Sequence, residues 1–199
     1  KAKFRDAKIK DDNCLASKAT YSVDKLWDDL NDPQGKGTNI FDSQIVTMPA
    51  WLTIDLGVLT KLSHIKTLPR GRDYVPYSGS HVRRFEFWGS ENPTGETVSD
   101  NEHGFDNTWF LLGRFEQAKP SGYESDGTVG VITQDDRAYW ANGNDFEFNN
   151  EEYPHAFDQL RYLRVVFMDT FSTYGYPGAT STIQMGELTP YGQVIKEYR

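Results

Sequence analysis

Along most of the chain, apolar residues recur at every second position. In "WLTIDLG" (51–57), Leu52, Ile54 and Leu56 alternate with Trp51, Thr53 and Asp55. In "RRFEFWGS" (83–90), Phe85 and Phe87 flank Glu86, and in "DFEFNN" (145–150), Phe146 and Phe148 flank Glu147. In "YLRVVFM" (162–168), Leu163, Val165 and Phe167 fall on one face. A period of two puts alternate side chains on opposite faces of an extended strand, so these segments read as half-buried β-strands. Turn-rich clusters separate them: "NDPQGKG", "GSENPTG", "KPSG", "ANGN" and "YGYPGA". Helical spacing is not sustained anywhere. "VDKLWDDL" (23–30) offers a turn or two, with Leu26, Trp27 and Leu30 on one side. Short strands with long polar loops predict an antiparallel β-sandwich or jelly roll. The long connections fall at about 31–44, 69–82, 91–108 and 118–143. Long loops on a rigid β scaffold carry function or mark insertions.

The 199 residues are enough to bury a sizeable core without disulfide or metal. Aromatics make up 14% of them, enough to fill that core and still supply rings to a surface. The net charge of −8, with Arg83-Arg84 as the only basic pair, argues against nucleic acid and anionic lipid. It suits a neutral partner or a bound cation. One cysteine, Cys14, excludes an internal disulfide and a CxxC site. No apolar run reaches membrane-spanning length. A Gly-rich nucleotide loop, HExxH and GxSxG are all missing. His64, His81, His103 and His155 lack the spacing of metal ligands. His64 lies inside the strand-like "KLSHIKTL" and reads as structural, whereas His81 adjoins an Arg/Tyr-rich loop.

Several pieces occur in a telling order: "LWDDLND", "GTNIFDS", "PAWLTIDLG", "LSHIKTLPR", "RRFEFWGSENP", "TWFLLGRF", "LRYLRVVF" and "IQMGELTPYG". This order resembles the discoidin-like, coagulation-factor type C family, also called galactose-binding-like domains. "FEFWGSE" and "F..KPSG" resemble most the C-terminal discoidin-like domain of surface glycan-uptake lipoproteins from gut Bacteroidetes. The resemblance runs from about 15 to 192 and implies an all-β, eight-stranded antiparallel jelly-roll β-sandwich with long loops. The whole of 1–199 then reads as one galactose-binding-like domain. The resemblance also implies an extracytoplasmic place, at the outer-membrane cell surface or in the periplasm, beside other domains of the same polypeptide.

Motif residues have physical readings of their own. Gly57 ends a strand where a bend is cheap only for glycine, and Gly89 is read in the same way. Arg161 and Arg164 lie in or beside an apolar strand and need partners, for which Asp55 is a candidate. The resemblance implies a structural calcium, with Asp28, Asp32, Thr38 and Glu187 at the matching positions. The loop "DDLNDPQGKGT" is rich in the oxygen ligands such an ion takes. It departs from the family in carrying Asp29 where glycine is usual, and an acidic turn capping a short helix is the alternative.

In the implied fold, the loops at one end of the sandwich form a ligand face, and "RGRDYVPYSG" (70–79) falls there. A neutral sugar is held by an aromatic face against its C–H groups and by fixed partners for its hydroxyls. Arg70 and Arg72 are multi-donor forks, Tyr74 and Tyr77 offer rings, Pro76 stiffens the loop, and His81 adds a hydrogen bond. "YWANGND" contributes Trp140 and Asn142, with Tyr139 and Asn144 beside them, and "TYGYPGA" contributes Tyr174 and Tyr176. The alternative is that these rings pack onto their own loops. The leading expectation is a non-catalytic module for a neutral oligo- or polysaccharide, without nucleic-acid binding or membrane insertion. A protein–protein or adhesion module and a glycan hydrolase are the alternatives, the second needing two carboxylates across one cleft.

Overall fold

The computed structural model describes residues 1, 3–30, 39–71, 75–98 and 101–198. Eleven strand segments occur among them: β1 (Arg5–Asp6), β2 (Phe41–Asp42), β3 (Val46–Thr47), β4 (Ala50–Leu68), β5 (Val82–Ser90), β6 (Phe110–Glu116), β7 (Asn144–Glu147), β8 (Leu160–Thr170), β9 (Thr180–Ser181), β10 (Gln184–Met185) and β11 (Glu187–Glu197). One layer runs β1-β4-β8-β5-β6, and β7 and β11 pair with β4 outside that path. All pairings between these strands are antiparallel, as the period-two pattern predicts.

The chain does not divide into eight separate strands. "WLTIDLG" and "KLSHIKTL" are one strand of 19 residues, β4, that serves both layers. Its first part pairs with β8 from Ala50 to Asp55, and its second with β11 and with β7. The change of partners comes at Gly57, whose φ is +67°. A side chain there would strike the backbone of Lys3, so the bend needs glycine both for its conformation and for its space. Gly89 works differently: its backbone is ordinary, and a Cβ would meet the Phe110 ring at 2.7 Å.

Between the layers lies a core of alternate residues: Leu52, Ile54 and Leu56, then Phe85 and Phe87, then Leu163, Val165 and Phe167, closed by Phe146, Phe148 and Leu188. The opposite face of the first layer is also covered. The segment after β5 folds back and lays Phe105 and Trp109 on Trp88 and Val166, with Trp51, Tyr162 and Met168 around them. The long connection at 91–108 therefore builds a second small core. Arg164 lies under it, with 0% of its side chain exposed. Its two terminal nitrogens donate to the two carboxylate oxygens of Asp11 at 2.7 and 2.6 Å, and Nε donates to Thr53 Oγ1 at 3.0 Å. The guanidinium sits 4.4 Å from the Phe105 ring centre and 4.2 Å from that of Trp109. Asp55 pairs instead with Arg161, at 2.8 and 2.7 Å.

One element departs from the all-β reading. Gln134–Asn142 is an α-helix, α1. Thr133 caps it, its hydroxyl accepting from the Asp136 N–H while the Asp136 carboxylate accepts from the Thr133 N–H. The expected turn or two at "VDKLWDDL" is a 3-10 turn over Val23–Leu26.

Asp11→Ala leaves the buried Arg164 with Asp12 at 3.5 Å as its remaining carboxylate. The expected loss is about 3–5 kcal/mol in urea unfolding. A loss below about 1 kcal/mol would show that the Arg164–Asp11 pair is not what holds the N-terminal segment to the sheet.

Candidate functional site

The three loops singled out in the sequence do meet at one end of the sandwich, but most of their rings face inward. Tyr77 is 2% exposed, with a φ of +52°. Its hydroxyl donates to the Asp136 carbonyl at 3.1 Å, and its ring lies 4.7 Å from Trp140 and 5.8 Å from Phe171. Trp140, 1% exposed, also meets His81 edge-on at 4.9 Å. His81 is buried, and Nδ1 and Nε2 lie 2.7 Å from the Ser78 carbonyl and 3.4 Å from that of Arg70. Burial lowers its pKa, although the two carbonyls beside it act the other way. Tyr77, His81 and Trp140 are therefore loop braces: the aromatic area is worth more against other rings than against solvent. Arg70 is half-buried and donates to Gln184 Oε1 at 2.8 Å. Arg72 and Tyr74 lie outside the described residues. Asn142 is exposed at the end of α1, and the Tyr139 hydroxyl beside it donates to the buried Asn144.

The "KPSG" turn belongs to the same support. Lys119 is buried beside Asp136 at 3.4 Å, and it also donates to Ser121 and to the Gly122 carbonyl. Asp136 accepts from the Ser121 N–H and hydroxyl as well as from Thr133. Burial would raise its pKa, yet these hydrogen bonds hold it well below the usual carboxylate range.

Among the described rings of these loops, the one that faces solvent is Tyr176, 71% exposed, in the loop after β8. It lines a hollow of about 280 Å³ together with Met48, Pro49, Arg84, Met168, Asp169 and its loop neighbours Thr173, Gly175, Pro177 and Gly178. Arg84 Nε donates to Asp169 Oδ2 at 2.6 Å, a second guanidinium nitrogen meets the same oxygen, and nearly half of the Arg84 side chain remains exposed. Asp169 Oδ1 has no hydrogen-bond partner among the described residues. Burial raises the Asp169 pKa, although Arg84 opposes it. Tyr174 is half-buried, stacked on Arg83 at 3.4 Å and 5.0 Å from Arg84, so it steadies the two arginines. The sequence reading missed Arg84 and Asp169. Their signal was a polar residue at the outward position of each of two adjacent strands, Arg84 and Asp169 being register partners.

Of the expected calcium ligands, Asp28 and Glu187 converge: Asp28 Oδ1 and Glu187 Oε1 both accept from the Leu30 N–H, at 3.0 and 3.1 Å. Asp32 and Thr38 lie outside the described residues. Glu187 is 4% exposed, and its pKa is raised by burial and by the charges of Asp28 and Asp29. The Lys1 ammonium bridges Glu187 at 3.0 Å and Asp29 at 2.6 Å. A buried carboxylate crowded by two others, already drawing an ammonium, fits a hard cation in its chemistry. The other group with metal-ligand proximity among the described residues is Glu86, Glu102 and His103. There Arg114 already bridges Glu86 and Glu102, and His103 Nε2 lies 2.8 Å from Glu86.

Residues 27–192 match the family DUF5000, a domain of unknown function. No curated protein sequence matches the chain. Among solved structures, the chain is similar to a SusE-like protein at 22% identity with a TM-score of 0.73, over 98% of this chain and 65% of that one. The chain thus spans less than two thirds of that protein's length. A family 32 carbohydrate-binding module from a family 31 glycoside hydrolase of Clostridium perfringens is similar at 17% identity and a TM-score of 0.57, over 96% of this chain and 92% of that one. A further family 32 module, of C. perfringens NanJ in complex with galactose, is similar at 10% identity and a TM-score of 0.52, over 95% and 93% of the two chains. At these identities the likeness establishes the fold alone, a β-sandwich as the sequence implied.

The inward and outward rings should separate in a stability measurement. Trp140→Ala is expected to cost about 3–5 kcal/mol, as for other large buried aromatics. Tyr176→Ala, at the open rim, should stay within about 0.5 kcal/mol of the parent. Chemical denaturation of both variants checks this, and equal losses would remove Tyr176 from the ligand face.

Proposed function

The chain belongs to the DUF5000 family, and we propose that it is a non-catalytic carbohydrate-binding module of an extracytoplasmic, cell-surface glycan-binding protein. One observation carries the reading: an exposed tyrosine ring stands beside a half-exposed arginine, itself held by a buried aspartate, at a hollow lined also by Met48, Pro49 and Met168. A sugar presents C–H groups on one face and hydroxyls at its rim. Tyr176 and Pro177 would meet the C–H face. Arg84 would donate to hydroxyl oxygens through its exposed N–H groups, and the buried Asp169 would hold that guanidinium in place. Because Arg84 is already aligned by Asp169 and Tyr174, little order is lost on binding. The fold shared with carbohydrate-binding modules, one of them in complex with galactose, supports the same reading.

The module would hold its ligand without reacting it. Glycoside hydrolysis needs two carboxyl groups flanking the bond. Asp169 is the one carboxylate lining the hollow and is committed to Arg84, and those beside it, Glu86, Glu102 and Glu116, are each paired with an arginine as well. The likeness to a longer SusE-like protein supports a surface role beside further domains of one polypeptide. A protein-partner module is the second reading, favoured by Tyr191, Val194 and Ile195, which stand exposed on β11. No helix among the described residues is long and apolar enough to cross a membrane.

Calcium, held by Asp28 and Glu187 with Asp32 and Thr38, would brace the loop after the 3-10 turn against β11 and do no chemistry. Removal by a chelator should lower the melting temperature, and Glu187→Gln should abolish the difference. A melting temperature indifferent to calcium in the parent rules the site out.

Titration with the best glycan from a neutral array tests the sugar reading. Tyr176→Ala should weaken binding by roughly thirtyfold, about 2 kcal/mol, and Asp169→Asn comparably. No binding to any glycan, or affinities unchanged in both variants, would overturn this site, and exposed β11 would become the surface to test.

A further inference from the structure

The hollow beside Tyr176 is not closed. A second one, of about 350 Å³, adjoins it across the outer face of β5 and β6, and Arg84 and Met168 line both. Its other walls are Glu86, Arg114, Glu116 and Glu102, with Phe85 and Phe115. The register explains the arrangement. Arg84 stands opposite Glu116 and Glu86 opposite Arg114, so four charged side chains alternate in a square on the outward face. Arg84 and Glu86 are about 6.8 Å apart along their strand. The second core covers this face from Trp88 onward, and it stops short of Arg84. The half-buried Met168 thioether lies at the junction as a shared apolar floor.

We propose that the two hollows form one trough that takes an extended, neutral glycan of two or more sugar units, the first beside Tyr176 and the next between Arg84 and Glu102. This rests on the carbohydrate reading above. A chain ligand follows from continuity: the hollows share a wall and a floor, and together they exceed the space of a single hexose. Neutrality follows from charge. The lining carries two arginines against four carboxylates, Asp169, Glu86, Glu102 and Glu116. Both arginines already pair within it, Arg84 with Asp169 and Arg114 with Glu86 and Glu102, while Arg83 from outside holds Glu116, so one carboxylate is left in excess. Glu86 is firmly anionic: burial opposes ionisation, but hydrogen bonds from His103, Arg114 and Trp88 bring its pKa down to about 2. A uronate or sulfate would enter a net-negative trough and compete for guanidinium groups that are already neutralised. Hydroxyls, by contrast, can use the spare N–H groups of Arg84 and Arg114, since a guanidinium has more donors than one carboxylate uses.

The test uses this chain on an array of neutral glycans in length series from one to six units, beside uronate-containing and sulfated counterparts, followed by calorimetric titration of the best series. Affinity should rise about tenfold between one and three units, the size of two or three added hydrogen bonds. Glu102→Trp, which fills the far hollow from an exposed position, should remove that gain and leave the single-unit affinity unchanged. Tyr176→Ala should weaken every length. Arg114→Gln gives a second variant at the far end, with circular dichroism checking that it folds. Equal affinity for one unit and for three, or a length gain indifferent to both far-end variants, overturns the trough while the carbohydrate site stands. Tighter binding of acidic glycans overturns the neutral class. Silence across the array removes the carbohydrate reading and the trough with it.

Discussion

A guanidinium buried in the middle of a sheet is the constraint on which much of this fold turns. Arg164 has no access to water, and an unpaired cation there would cost several kcal/mol. Three separate stretches of chain meet that demand. Asp11 and Asp12 arrive from the N-terminal segment, Thr53 from β4, and the rings of Phe105 and Trp109 from the connection after β5. The last of these is what turns a long loop into a second core. Asp106 keeps that loop in shape, accepting from the N–H groups of Thr94, Gly95 and Thr108.

The same strand leads from that closed site to the open one. Along β8, outward positions run from Arg164 through Val166 to Met168, with Asp169 beyond it at the bulge. Arg164, Val166 and Asp169 are buried and Met168 half-buried, and solvent is reached on the neighbouring strand, where nearly half of the Arg84 side chain is exposed. An Arg–carboxylate pair lies at each end. At Arg164 it is sealed under two rings and holds the chain together. At Arg84 the carboxylate is buried but the guanidinium stands half in solvent near Tyr176, where spare donors meet whatever enters the hollow. The same pairing chemistry serves stability in one place and, in the proposed reading, recognition in the other, and the exposure of the guanidinium separates the two roles.

The inward-facing rings make a related point about support. Tyr77, His81, Trp140 and Phe171 form a packed knot beneath the loops, and Asp136 ties α1 to the "KPSG" turn. A ligand face made of loops has to be rigid to avoid losing entropy on binding. This knot supplies the rigidity, and so the aromatic residues that stand out in the sequence mostly lie one layer behind the surface.

What the sequence determined by itself was whatever depends on neighbours along the chain. Period-two alternation placed Leu52, Ile54, Phe85, Phe87, Leu163 and Val165 in the core, since side-chain direction in a strand is fixed locally. Gly57 announced a bend, and "TQDD" carried a capping signal for α1 that the search for apolar periodicity passed over, because the helix buries little besides Trp140 and Asp136. The motif order was enough to identify the fold. Tertiary structure alone decided which of several tyrosines faces solvent, that Arg164 pairs with Asp11 and leaves Asp55 to Arg161, and that Arg84, Asp169 and Tyr176 share one hollow. These depend on contacts between residues far apart in the chain, where burial and strand register set the outcome, and neither is written in the residues on either side.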